Sequence, residues 1–380
     1  MAPERGEDTP ATCAPNCVDA FAEPGAYAAG FRVEQAGDLV LKVWYPTQTE
    51  PSAIEYAVTI KFPMWPRGPE VILGEAAIDA PPAEGSFPLV VLSHGFSLNP
   101  EWYRTIAEHL ATHGYVVLAP EHAESDWFTD VVSASLSRPA DVSATIDAAA
   151  SGALAAVTNT DKVAVLGHSY GGYTALASAG ARPDLGNLEA ACASVEDEFT
   201  AAFFCVPFLA GADVLAAGFG GDVDASGPWP SMGDPRVDAV VALAGDAYLF
   251  GPEGLASVTV PVLALGGTQD TGTPWDWGTG LTDAAVGSTQ RVTVAMDGGE
   301  HFLPIVDCAD LPWSGALPSE QVAYICQDPA WEKQASLDVV HHMTTAFLEA
   351  TLRGDAVAAE ALDPVVYEDT PMLTVTASGF

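Results

Sequence analysis

Short apolar runs alternate with longer amphipathic segments through the first half of this 380-residue chain. The runs at 88–93, 115–120 and 162–166 are almost continuously apolar, as expected for parallel strands that are buried on both faces. Helix-like segments lie between them at 101–113 and 138–158. This alternation predicts an α/β fold in which helices cover both faces of a mostly parallel sheet.

Further apolar runs extend the predicted sheet in both directions along the chain. They lie at 38–46, 54–62, 238–243, 258–265 and 291–296, and a long helix is predicted at 331–352. The pattern of the tail, 363–380, fits neither a helix nor a strand clearly. We find no internal repeat.

The alternation is interrupted twice, which sets the expected domain boundaries. Residues 1–30 are rich in proline, alanine and acidic side chains, so we expect an irregular lead-in there and one α/β domain over 31–380. Residues 181–236 are too long for an ordinary connection. We interpret them as a cap over the site, with a surface insertion as the alternative.

The segment Gly167-His168-Ser169-Tyr170-Gly171 joins the apolar run at 162–166 to a helix-like stretch. A serine at such a strand-to-helix corner takes a strained backbone conformation, and small glycines let neighbouring backbone approach it closely. Its hydroxyl is thereby exposed above the sheet. We therefore predict Ser169 as a nucleophile.

A serine nucleophile needs a base, and the base needs an acid that orients it. Glycine-rich turns follow two late strands, and they carry Asp270 and His301. The order Ser169, Asp270, His301 places each group where the carboxyl ends of the strands are expected. Asp297 is the next candidate for the acid, and His168 is rejected as the base because it lies within the turn.

An oxyanion that forms on the substrate requires two backbone N–H donors. The N–H of Tyr170, directly after the nucleophile, is the first. The second is expected in the turn Ser93-His94-Gly95-Phe96, where we choose Phe96 and keep Gly95 as the alternative.

The charge balance disfavours several classes of partner. The chain has 51 acidic and 13 basic residues, for a formal net charge of −38. Such a surface repels phosphate, so neither nucleic acid nor an anionic membrane is an expected partner. We expect an acidic, strongly hydrated surface rather than calcium sites, since no acidic cluster has the spacing of a known calcium loop.

No apolar stretch reaches the roughly 18 residues that a membrane span requires. We also expect a monomer without a metal or another cofactor.

Six cysteines occur as three pairs that are close in sequence. Zinc is a poor explanation because no Cys-x-x-Cys motif is present, so we expect disulfides and an oxidising compartment. The first eight residues have neither the basic nor the apolar part of a signal peptide. Our hypothesis is a secreted or periplasmic protein whose signal has been removed. The expected pairs are Cys13–Cys17, Cys192–Cys205 and Cys308–Cys326.

These motifs together resemble the α/β-hydrolase superfamily, and within it the bacterial esterases similar to dienelactone hydrolase and to platelet-activating-factor acetylhydrolase. The resemblance covers roughly residues 38–305 and is carried by Lys42–Pro46, Leu92–Phe96, Arg138–Val142, Leu166–Gly172 and Glu300–Phe302. It implies ester hydrolysis through Ser169, His301 and Asp270, with oxyanion donors at Phe96 and Tyr170. Dienelactone hydrolases use a cysteine nucleophile, so the serine argues against dienelactone as the substrate.

Aromatic residues near the expected site give a hint about the substrate. Trp275 and Trp277 follow the presumed acid, and His122 follows a strand, so all three are candidate substrate contacts. The alternative for the tryptophans is that they anchor a loop, and the alternative for His122 is that it is structural. Aromatic walls suit flat or apolar acyl groups, so aromatic polyesters such as polyethylene terephthalate are a hypothesis. The alternatives to hydrolysis are a cofactor-free perhydrolase or acyltransferase with the same triad, and a binding protein with a relic triad.

Overall fold

The structure is a computed structural model that describes residues 19–62, 65–124, 126–196, 198, 201–223, 226–305, 308 and 319–380. Its strands are β1 (Ala28–Ala36), β2 (Leu39–Thr47), β3 (Ser52–Phe62), β4 (Trp65–Ile78), β5 (Phe87–Ser93), β6 (Val116–Pro120), β7 (Thr158–His168), β8 (Ala239–Leu243), β9 (Val262–Gly267), β10 (Arg291–Met296) and β11 (Leu373–Ser378). Its α-helices are α1 (Arg104–Thr112), α2 (Trp127–Ser151), α3 (Tyr170–Ser178), α4 (Leu185–Ala193), α5 (Val206–Ala210), α6 (Ala212–Phe219), α7 (Gly251–Leu255), α8 (Thr279–Ala285), α9 (Ser319–Cys326), α10 (Lys333–Leu348) and α11 (Ala356–Ala361).

One 11-stranded sheet runs through the molecule in the order β11-β10-β9-β8-β7-β5-β6-β2-β1-β4-β3. Strands β10, β9, β8, β7, β5 and β6 are parallel to their neighbours, whereas β2 and β11 join this central part in antiparallel pairs. The mostly parallel sheet expected from the apolar runs is confirmed, and it fits the α/β-hydrolase fold that the resemblance of the motifs implies.

Each face of the sheet has its own hydrophobic core, because successive strand side chains point in opposite directions. On β5, Val90 and Leu92 pack in the core that contains α1 and α10. Leu89 and Val91 pack in the opposite core, against α2 and α3. Burial on both faces explains why the central strands are so uniformly apolar.

The first long helix differs from its prediction. The sequence predicts a helix at 138–158, but α2 begins at Trp127, where the side chain of Asp126 caps it by accepting a hydrogen bond from Phe128 N. Pro139 therefore lies in the helix interior, where it supplies no N–H to the carbonyl of Ser135. The hydroxyl of Tyr173 donates to that carbonyl instead, at 3.0 Å. A tertiary contact thus compensates for the proline, which local sequence does not reveal.

The ends of the sheet also extend beyond the expectation. Strand β4 pairs with β3 as an antiparallel hairpin that the apolar pattern does not predict. The tail, which the sequence leaves undecided, contributes β11 to the other edge of the sheet. Strand β4 lies next to the edge strand β3, and β11 is the opposite edge; both have alternating or mixed burial, so their apolar signal is weak.

The topology marks one point on the sheet as a site for ligands. The chain passes from β5 to β6 on one side of β5 and returns to β7 on its other side. Loops that leave β5 and β7 therefore diverge at their carboxyl ends, which opens a crevice there. The turn containing Phe96 follows β5, and Ser169 follows β7, so both lie at this crevice.

The segment 181–236 contains α4, a π-helical turn at Ala201–Cys205, α5 and α6. In the described part of the chain no single helix is long and apolar enough to cross a membrane. The bent pair Ala201–Ala210 and Ala212–Phe219 passes that test together on length and composition alone.

Candidate active site

Ser169 stands at the corner between β7 and α3 with φ 56° and ψ −123°, in the left-handed half of backbone space that serine rarely occupies. Close backbone packing fixes this corner. A Cβ atom on Gly167 would lie 1.9 Å from the carbonyl oxygen of Gly171, and one on Gly171 would lie 2.0 Å from that of Ser93. Only glycine fits at these two positions, so the nucleophile turn and the turn after β5 are held together through main chain.

We expect Gly167→Ala to reduce the free energy of unfolding by about 3 kcal/mol, since overpacking against backbone costs roughly this much. Urea unfolding monitored by circular dichroism measures the effect. Gly186→Ala is the matched control: in α4 its new Cβ meets only Asp184 Oδ1, at 3.6 Å. We expect that control to keep or gain stability. Equal losses in the two variants would contradict the packing argument.

The structure brings Ser169, His301 and Asp270 into one hydrogen-bonded line. His301 Nε2 lies 2.9 Å from Ser169 Oγ, and His301 Nδ1 lies 2.9 and 3.0 Å from the two carboxylate oxygens of Asp270. Asp270 is held in turn by the N–H of Thr273, at 2.6 Å from Oδ1. This arrangement can transfer a proton from the serine hydroxyl to the imidazole while the carboxylate fixes the tautomer.

The environment of His301 favours its protonated form. Burial lowers the pKa of His301, but the attraction and hydrogen bond of Asp270, with smaller contributions from Asp246 and Glu300, outweigh burial and raise the pKa above its ordinary value. A base with a raised pKa binds the serine proton more strongly, which favours attack.

The pH dependence of activity follows from this shift. His301 accepts a proton only when neutral, so kcat/KM should fall as pH decreases through its pKa. We expect the midpoint of this acidic limb above the ordinary histidine value of about 6.5. Initial rates with p-nitrophenyl butyrate between pH 5 and 9 measure it, with circular dichroism at each pH as the control for folding. A midpoint below 6.5 would contradict the assignment.

The two expected oxyanion donors lie on either side of the crevice. Neither Phe96 N–H nor Tyr170 N–H has a backbone or side-chain acceptor among the described residues. The alternative donor, Gly95 N–H, is already bonded to the hydroxyl of Tyr103 at 2.9 Å. Tyr170 N–H also lies at the first turn of α3, where the helix dipole favours negative charge. The geometry therefore favours Phe96 over Gly95.

A cavity of about 50 Å³ opens beside Ser169. Half of the residues in its wall are aromatic, and two of these rings come from the segment 181–236. Trp127 stacks on Phe203 with a centroid distance of 4.5 Å, and its indole N–H donates to the Phe203 carbonyl. The aromatic side chains in the wall are Phe96, Trp127, Phe203, Phe204 and Phe302.

The three candidate substrate contacts lie outside the wall of this cavity. Trp277 packs behind it, with its ring 5.9 Å from that of Phe204 and 5.5 Å from that of Tyr248. Trp275 packs against Gly280, where an added Cβ would lie 2.2 Å from the indole nitrogen. His122 is buried away from the cavity. These contacts favour the alternative in which the two tryptophans anchor the loop after β9, and of the aromatic side chains in the wall only Phe96 belongs to the site expected from the sequence.

His122 belongs to a second serine, histidine and aspartate array. Its Nε2 lies 2.9 Å from Ser93 Oγ, and its Nδ1 lies 2.8 Å from Asp141 Oδ2. Burial holds the pKa of His122 well below its usual range. Ser93 is fully buried, so no substrate reaches its hydroxyl. The burial of this array favours the alternative interpretation of His122 as a structural residue over that of a substrate contact.

Both ring nitrogens of His168 are hydrogen-bonded to other groups, in agreement with its rejection as the base. Its Nδ1 is 2.7 Å from the Tyr103 hydroxyl, and its Nε2 is 2.9 Å from the carbonyl oxygen of His301. Since a carbonyl only accepts, Nε2 carries the proton and Nδ1 accepts from Tyr103. His168 thus supports the backbone of the base.

Asp246 is a site residue that the sequence prediction missed. It follows β8, it lines the cavity beside Ser169, and its side chain accepts a hydrogen bond from the hydroxyl of Thr273. Burial raises its pKa to about 7. Its position directly after a buried strand, in Ala244-Gly245-Asp246, is the signal that could have found it. Asp297, the alternative acid, instead accepts from Thr268 at 3.1 Å, away from His301.

A larger cavity, of about 870 Å³, lies elsewhere, between residues 19–29 and α1. Carboxylates such as Glu23, Glu75 and Asp338 line it. It contains none of Ser169, His301 and Asp270, so its size does not make it the candidate active site.

Among the residues that the structure describes, two disulfides are present, Cys192–Cys205 and Cys308–Cys326. They match two of the three expected pairs. The first closes the turn that carries Phe203 and Phe204. The third expected pair, Cys13–Cys17, lies outside the described residues. Within the described ranges, no group of three or more His, Cys, Asp or Glu side chains is arranged to hold a metal ion.

Comparisons with known proteins point to one group of enzymes. The family model for chlorophyllase matches residues 66–192. Chlorophyllase-1, chloroplastic, from Citrus sinensis is 34% identical over 106 residues, which cover 26% of this chain and 31% of that protein. The protein of the same name from Citrus unshiu has the same values. Chlorophyllase-1 from Arabidopsis thaliana is 39% identical over 44 residues, or 12% of this chain and 14% of its own length.

The similarity is confined to one part of the molecule. The chain spans less than a third of the length of the curated relatives it matches. The family match includes the turns with Phe96 and Ser169, whereas Asp270 and His301 lie beyond it. It supports the α/β-hydrolase fold and names chlorophyllases rather than the two esterase groups that the sequence motifs resemble.

Proposed function

We propose that this protein is a serine hydrolase of carboxylic esters that works through an acyl-enzyme intermediate. The observation that carries the proposal is the line from Ser169 Oγ through His301 to Asp270, with hydrogen-bond distances of 2.9 to 3.0 Å. The similarity to chlorophyllases supports it, because chlorophyll is itself a carboxylic ester.

The mechanism follows from the position of each group. Ser169 Oγ attacks the ester carbonyl carbon while His301 Nε2 takes its proton. The carbonyl oxygen becomes an oxyanion that accepts hydrogen bonds from Phe96 N–H and Tyr170 N–H. The protonated His301 then donates its proton to the departing alkoxide, which leaves as the alcohol. Water, activated by His301, repeats the sequence on the acyl-enzyme and releases the acid.

We further propose that the segment 181–236 acts as a cap that shapes the acyl site. Phe203 and Phe204, which line the cavity, come from this segment, and Cys192–Cys205 closes the loop beside them. An aromatic wall fits flat or apolar acyl groups. Esters of benzoic and terephthalic acid, including polyethylene terephthalate, are the corresponding substrates to test.

The disulfides support an oxidising compartment, and we propose secretion or a periplasmic location on this basis. Alkylation of the protein in its native source, followed by non-reducing peptide mapping, tests this. Free thiols at all four described cysteines would contradict it.

Labelling with a fluorophosphonate probe tests the proposed function. We expect stoichiometric modification, and peptide mass spectrometry should place the adduct on Ser169. A panel of p-nitrophenyl acetate, butyrate, decanoate and benzoate, with polyester film, then reports acyl preference. Lack of both labelling and hydrolysis would contradict the proposal and favour a binding protein. Product analysis with added alcohol or peroxide identifies acyl transfer or perhydrolysis.

A further inference from the structure

The segment Arg138-Pro139-Ala140-Asp141 lies on α2 and takes no direct part in the proposed chemistry, yet its two charged side chains are buried or partly buried beside the site. Arg138 is fully buried. Its Nε donates to Glu124 Oε2 at 2.9 Å, and its Nη2 donates to Glu124 Oε1. Two buried charges are costly to maintain unless they pair in good geometry. We therefore look for a role of the Arg138–Glu124 pair beyond packing.

The free edge of the guanidinium faces the turn after β5. Arg138 Nη1 donates to the carbonyl oxygen of His94 at 2.8 Å. The partner of Arg138 holds the other end of the same turn, since Glu124 Oε1 accepts from Ser97 N–H at 3.2 Å. Ser97 has φ 60°, so the backbone at this end of the turn is strained, and contacts from outside the turn stabilise it. The ion pair thus hydrogen-bonds to the turn at His94 and at Ser97, on both sides of Phe96.

The guanidinium also contacts both residues that supply the oxyanion donors. Its carbon lies 5.2 Å from the ring centroid of Tyr170 and 5.7 Å from that of Phe96. A guanidinium over aromatic rings at this range is attracted to them. Arg138 therefore fixes the side chains of Phe96 and Tyr170 relative to each other, while their N–H groups remain free.

Asp141, three residues after Arg138 on α2, also supports the loop that follows β5. Residues three apart lie on one helix face, so Arg138 and Asp141 point to the same region. Asp141 fixes His122, and His122 holds Ser93, which begins the turn. The backbone N–H of His122 also donates to His94 Nε2 at 3.0 Å.

We propose that Arg138, paired with Glu124 and supported by Asp141, is a positioning residue that sets the oxyanion hole. It acts by fixing the turn that carries Phe96 N–H against the ring of Tyr170. The inference rests on the proposed ester hydrolysis at Ser169. An oxyanion exists only in the transition state and the intermediate, so a displaced donor lowers kcat and leaves substrate binding unchanged.

The test compares Arg138→Lys with Arg236→Lys. Arg236 also pairs with carboxylates, Asp234 and Asp147, but it is a partly exposed residue on another surface. We measure kcat and KM for p-nitrophenyl butyrate, the rate of fluorophosphonate labelling, and the thermal midpoint. Removing one oxyanion donor costs about 10²- to 10³-fold in kcat, so a displaced donor should cost about 10- to 100-fold. We expect this loss in Arg138→Lys, with KM within threefold and a parallel loss in labelling rate.

The outcomes separate the two proposals. Folded Arg138→Lys with kcat within twofold of the wild type, or with the same loss as Arg236→Lys, overturns the positioning role. A wild-type protein that neither hydrolyses esters nor takes the label overturns the proposed function instead. If Arg138→Lys does not fold, Asp141→Ala decides: its side chain is partly exposed, and we expect a loss of kcat of about 5- to 10-fold at constant KM. An unchanged kcat in that variant then overturns the proposal.

Discussion

Ser169→Ala is expected to lower kcat for p-nitrophenyl butyrate by about 10⁶-fold, to the level that binding and the oxyanion donors sustain alone. Without Oγ no acyl-enzyme forms, and His301 has no proton to accept from the nucleophile. The fluorophosphonate label should be lost completely. Hydrolysis in a stopped assay, with labelling followed by mass spectrometry, measures both effects.

The fold of this variant should remain intact. Alanine and serine have a similar conformational cost at φ 56°, and within the described ranges Ser169 Oγ hydrogen-bonds only to His301. The thermal midpoint should therefore stay within about 2 °C of the wild type. Ser133→Ala is the control, because Ser133 lies on the exposed face of α2 and its hydroxyl donates to the carbonyl of Asp130. Activity of Ser169→Ala within tenfold of that control would refute the nucleophile assignment.

The turn around Ser169 could be predicted from the sequence because its requirements are local. A buried strand, a corner that only small residues fit, and a following helix are all adjacent in the chain. Gly167 and Gly171 are needed because neighbouring backbone lies so close that any Cβ there would overlap a carbonyl oxygen. Asp270 and His301 could be placed because each follows a strand, and parallel strands end at one edge of the sheet.

The surroundings of the nucleophile depend on contacts that no local pattern encodes. Phe203 and Phe204 reach the cavity from the segment 181–236, whose path over the sheet is set by packing on Trp127. Arg138 meets the turn after β5 across more than 40 positions, and Pro139 is tolerated only because Tyr173 replaces its missing donor. Trp275 and Trp277 are close to Asp270 in sequence, but they do not line the cavity.

Two buried aspartates stand near His301, and the same substitution in each tells which one orients it. Asp270 contacts His301 Nδ1 directly, whereas Asp246 reaches Asp270 through Thr273, whose hydroxyl donates to Asp246 and whose N–H donates to Asp270. Asp270→Asn removes the charge that stabilises the imidazolium and admits the wrong tautomer. We expect kcat to fall by about 10⁴-fold.

Asp246→Asn should have a different signature. Ionised Asp246 attracts the protonated form of His301 without touching it, and because its own pKa is about 7 this attraction is strongest above pH 7; its loss therefore lowers the pKa of His301. The acidic limb of kcat/KM should therefore move to lower pH, while kcat at pH 8 changes by less than about tenfold. Full pH–rate profiles of both variants and the wild type make this comparison. A larger loss of kcat in Asp246→Asn than in Asp270→Asn would show that Asp246 orients the base during turnover. The line from Ser169 through His301 to Asp270 would then have to rearrange when substrate binds.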